Sequence, residues 1–61
     1  MAILINTIRE GYQLDQIKRT MTVGELIKIL EEYGDDTPIY LAFDNQYTYG
    51  GINENEIEEI E

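Results

Sequence analysis

Carboxylates are the most abundant reactive side chains in this sequence: it carries 13 Asp and Glu against four Lys and Arg. Neighbouring pairs such as Asp35-Asp36, or Glu54 with Glu56, are the residue types from which acid–base pairs and divalent-cation sites are built. The rest of that chemistry is missing. There is no His and no Cys, which removes the usual general base near neutral pH and the usual zinc and haem ligands. Asp44-Asn45-Gln46 lacks the alternating oxygen ligands and the central glycine of a calcium loop. Tyr49-Gly50-Gly51-Ile52 has neither the lysine of a phosphate loop nor the strand-to-helix glycine fingerprint of a dinucleotide site, and its glycines are expected to allow a bulge or tight bend. The residues therefore predict no catalytic group, no metal site and no cofactor, and a binding protein rather than an enzyme.

What the carboxylates can do is set a field. Residues 1–30 hold all four basic side chains, Arg9, Lys18, Arg19 and Lys28, against three acidic ones. Residues 31–61 contain no Lys or Arg and ten acids, among them Asp35, Asp36, Asp44, Glu54 and Glu56. A one-signed surface of that density draws in basic surfaces and repels phosphate backbones, which excludes direct nucleic-acid binding and disfavours anionic membranes. Tyrosine supplies the other half of a recognition surface, since it contributes a large contact area at low entropic cost. The expected partner-binding residues are Tyr40, Tyr47 and Tyr49 with Asp44, and around them Asp35, Asp36, Glu54 and Glu56.

Placing these residues requires a fold. Residues 1–61 are read as a single compact acidic domain, near the lower size limit for one hydrophobic core. Thr22-Val23-Gly24-Glu25 fits a capping box, with Met21 and Leu26 in the two staple positions. Val23, Leu26, Ile27, Leu30 and Tyr33 follow at three- and four-residue steps, so an amphipathic helix is predicted from about Val23 to Tyr33, stopped by a left-handed Gly34 and by Pro38. Ile39 to Asp44 alternates as a strand that packs Ile39, Leu41 and Phe43 under the helix. A two-residue turn at Asn45-Gln46 pairs 44 with 47, 42 with 49 and 40 with 51, which gathers Tyr40, Tyr47, Tyr49 and Asp44 on the opposite face; a three-residue loop would scatter them. Ala2–Ile8 is read as a strand that turns at Glu10-Gly11 into Tyr12–Lys18, a second strand or a helical turn. Asn53-Glu54-Asn55-Glu56 predicts a short C-terminal helix, with a closing strand as the alternative. The fold class is thus α+β, an antiparallel sheet of three or four strands packed on one central helix.

The stretch Met21-Thr22-Val23-Gly24-Glu25-Leu26-Ile27 to Tyr33, then Asp36-Thr37-Pro38-Ile39-Tyr40-Leu41 and Tyr47-Thr48-Tyr49-Gly50, resembles small uncharacterised proteins encoded by phages and other mobile elements. The resemblance spans roughly half the chain and brings no catalytic residues with it. Among small acidic proteins of that origin, inhibitors of defence nucleases, anti-CRISPR proteins included, recur, and many occupy nucleic-acid sites. It implies an inhibitor in the cytoplasm of the host cell that binds the basic, nucleic-acid-binding surface of a defence complex as a nucleic-acid mimic. The alternative is a self-associating regulatory or structural protein, a homodimer through a sheet edge or the tyrosine face, with no mimicry.

Overall fold

A computed structural model describes residues 1–60. Three strands, β1 (Ile3–Asn6), β2 (Ile39–Phe43) and β3 (Thr48–Gly51), form one sheet in the order β1-β2-β3, and one helix, α1 (Val23–Leu30), lies between β1 and β2 in the chain. The fold is α+β, as the alternation of apolar patterns predicts.

The helix starts where its chemistry says it should. The Thr22 hydroxyl accepts from the Glu25 amide at 3.2 Å, and the Glu25 carboxylate accepts from the Thr22 amide at 2.9 Å, so two of the donors orphaned at a helix start are satisfied. Its end differs from the expectation. The helix closes at Leu30, and the next turn tightens: the amides of Glu32 and Tyr33 donate to Ile29 and Leu30, three residues back. Among the described residues no glycine has positive φ, so Gly34 is not the left-handed stop.

The sheet is mixed rather than antiparallel. β2 and β3 form the expected hairpin in the expected register, with Tyr40 opposite Gly51 and Ala42 opposite Tyr49. β1, however, pairs parallel to β2, with Ile3 opposite Ile39 and Ile5 opposite Leu41, rather than antiparallel with its own downstream segment. Tyr12–Lys18 holds only a 3-10 turn at Leu14–Gln16. Its start is fixed by Gln16, whose side-chain oxygen accepts from the amides of Tyr12 (2.6 Å) and Gln13 (3.0 Å). A Cβ on Gly11 would stand 2.5 Å from Gln16, so this loop closes only around glycine. The expected C-terminal helix is likewise one 3-10 turn, Glu54–Glu56; Glu61 lies outside the described residues.

Register assigns Ile3, Ile5, Ile39, Leu41, Phe43 and Gly50 to one sheet face and Leu4, Asn6, Tyr40, Ala42, Tyr49 and Gly51 to the other. The helix borders the first across open clefts rather than by close packing. Leu30 and Tyr33 line a cleft with Ile3 and Ile39, while Leu26 and the staple partner Met21 line a groove with Ile5. Phe43 fills the thin side by lying across Gly50, where a Cβ would approach its ring to 3.2 Å. The glycine is therefore required by close packing in a regular strand, not by a bulge.

This single layer of contacts buries little. Among the described residues only Ala42, 1% exposed, is fully inside. Val23 and Ile27 on the flank of α1 are 77% and 50% exposed. The chain presents 6163 Å² of accessible surface, where a self-contained folded protein of 7.1 kDa presents about 4,100 Å².

Candidate protein-binding surface

The face turned away from α1 is the candidate surface. Tyr40 and Tyr49 both project from it, as the hairpin register requires, and they are diagonal neighbours across β2 and β3 rather than directly opposite. Both rings remain open to solvent, at 48% and 60% exposure. Gly51 faces Tyr40 across the strands, and the space where its Cβ would stand is empty, so the flank of the Tyr40 ring is unobstructed. One residue that the sequence did not single out joins the face: Leu4, opposite Tyr40 on β1 and 39% exposed, while Ala42 between Asn6 and Tyr49 is buried at its centre. The alternation of β1 and its parallel register are needed to find Leu4, and neither can be read locally.

Tyr47 is not on this face. Strand pairing stops at Phe43 and Thr48, and residues 44–47 form the connection. Asp44, Asn45 and Gln46 have φ of 51°, 56° and 68°, three successive left-handed residues with no glycine among them. The Tyr47 amide closes the loop by donating to Phe43 (3.0 Å) and Asp44 (3.1 Å) carbonyls. Left-handed φ at Asn45 and Gln46 is what a tight hairpin turn asks for; its extension to Asp44 swings Asp44 and Tyr47 out of the sheet, and Tyr47 is 84% exposed.

The end of β1 anchors this loop. The Thr7 amide and hydroxyl both donate to the Ala42 carbonyl, at 2.9 and 2.8 Å, and the Gln46 amide donates to the Asn6 side-chain oxygen at 3.3 Å. Arg9 lines a shallow cleft with Thr7, Ile8, Asp44 and Asn45, so Asp44 has a basic neighbour.

The other expected binding acids lie at the other end of the sheet. Asp35 and Asp36 immediately precede β2, and Glu54 and Glu56 follow β3, which runs antiparallel to it. Topology therefore brings these four to one end and leaves Asp44 and Tyr47 at the other, separated by the length of β2, about 16 Å for its five residues. Tyr40 and Tyr49 lie between. Among the described residues no group of three potential ligands is placed to hold a metal ion, and no helix is long and apolar enough to cross a membrane.

Comparison with protein families, with characterised proteins and with solved structures finds no match to this chain.

Proposed function

We propose that this chain is a stoichiometric protein-binding module that engages a basic, nucleic-acid-binding surface. The observation that carries the reading is the pair of half-exposed rings, Tyr40 and Tyr49, on one sheet face bounded at both ends by carboxylates. Exposed aromatic anchors at the centre of a patch supply most of the free energy of a protein interface, and surrounding charge sets encounter rate and selectivity. Four acids at one end make that end the side from which a basic groove is steered in. The resemblance of residues 21–50 to phage and mobile-element proteins directs the choice of partner to a host defence complex in the cytoplasm, with this chain as its inhibitor.

The test starts with affinity purification from the host and identification of the captured protein by mass spectrometry. Binding kinetics on that protein follow, at two salt concentrations and with a nucleic-acid competitor. Association should slow steeply as salt rises, and nucleic acid should displace the module. Tyr49→Ala should speed dissociation, costing about 2 kcal/mol or more if the ring is an anchor. Binding that ignores both salt and competitor overturns the reading.

A further inference from the structure

The surface that the chain leaves uncovered is too large to belong to one face. The excess over a self-contained protein of the same mass, 6163 Å² against about 4,100 Å², is roughly 2,000 Å². Obligate homodimers bury about 1,000–2,500 Å² on each subunit, an area that this open chain has the surface to supply. Charge decides where a second copy can sit. Two copies carrying −9 each cannot bring their second halves together, because residues 31–61 hold ten acids and no base. Met1 to Ile8, by contrast, has no charged side chain at all.

That stretch contains an open edge. The amides of Ile3 and Thr7 donate inward, to the carbonyls of Pro38 and Ala42 at 2.9 Å. Strand alternation therefore turns the N–H and C=O of Leu4 and Asn6 outward, along the side of β1 that no strand occupies among the described residues. Protein edges are normally guarded by Lys, Pro or a bulge; β1 is an uninterrupted Ile-Leu-Ile-Asn with none of these. The opposite edge, β3, is of the same length but holds two glycines and lies between Asp44 and Glu54 in the chain. The groove lined by Ile5, Met21 and Leu26, with the basic Arg19 at its side, opens beside β1 as well.

We propose that two copies of this chain join antiparallel along β1, making a continuous six-stranded sheet about a two-fold axis perpendicular to it. That symmetry keeps both helices on one side, where the flanks of α1 and the Ile5–Met21–Leu26 grooves meet, and sends both hairpins with the acidic segments that follow them to the far ends. The inference does not rest on the binding function proposed above, because the Tyr40 and Tyr49 face stays free on the other side.

The full chain is tested by sedimentation over a range of concentrations and by amide hydrogen exchange. The expected mass is twice 7.1 kDa, with a melting temperature that rises with protein concentration and with the amides of Leu4 and Asn6 protected. Added salt should tighten the dimer, the reverse of its effect on a basic partner. Leu4→Lys, which places like charges near the axis, should weaken dimerisation about tenfold or more. A monomer at all concentrations overturns the proposal. So does a dimer whose Leu4 and Asn6 amides exchange freely, since it would be built on another face.

Discussion

Single residues carry the sharpest consequences of this fold where a cap, an empty space or a ring contact can be named. Thr22 holds the Glu25 amide at the start of α1, and Thr22→Ala should lower stability by about 1 kcal/mol, read from urea denaturation. Gly24 is the opposite case. A Cβ there meets nothing within 4 Å, and the residue is helical. Gly24→Ala should therefore raise stability by roughly 0.4–1 kcal/mol, by restricting the unfolded chain. Gly50 has no such room because the Phe43 ring lies across it. Gly50→Val should cost about 1–3 kcal/mol through overpacking, and a variant that melts with the parent would show that the ring is free to move.

At the scale of elements, α1 and the hairpin respond to different physics. Leu30 is the best covered residue of the helix and faces Ile3 and Ile39. Leu30→Ala should cost about 2 kcal/mol, the low end for an emptied core site because Leu30 keeps part of its surface in water. The loop after β2 stores strain instead, since Gln46 holds φ 68° without being glycine. Gln46→Gly should relieve about 1 kcal/mol and raise the denaturation midpoint, although it also gives up the hydrogen bond to Asn6. Both elements were legible beforehand: the capping box and the apolar stripe are local, and the alternation of Ile39–Phe43 with two turn residues fixes the pairing of Tyr40 and Tyr49. Strand β1 was legible as a strand but not in its partner. Pairing between Ile3 and Ile39 joins segments thirty-six residues apart, and it leaves no periodicity in the intervening sequence. The same limit hid Leu4, and the left-handed Asp44 hid the displacement of Tyr47.

For the whole molecule, charge opposes compactness. A net −9 on 61 residues, with ten acids in one unrelieved half, means that folding concentrates like charge. Screening should relieve it, so the melting temperature at neutral pH should climb from low to moderate salt, as differential scanning calorimetry can show. A fall would mean that specific ion pairs outweigh the repulsion. The same charge segregation leaves the helix side of β1 as the neutral end of the molecule and the hairpin tail as its acidic end.

The parallel pairing of β1 also orders events in time. Ile3 is made first and its partner Ile39 thirty-six residues later, an interval of roughly 2–7 s at ordinary rates of protein synthesis, whereas closing a chain loop takes far less than a millisecond. For those seconds the uncharged Ile-Leu-Ile strand exists without the strand that will cover one of its edges. The sheet cannot begin to close until β2 has been made, and once it has, closure is far faster than synthesis.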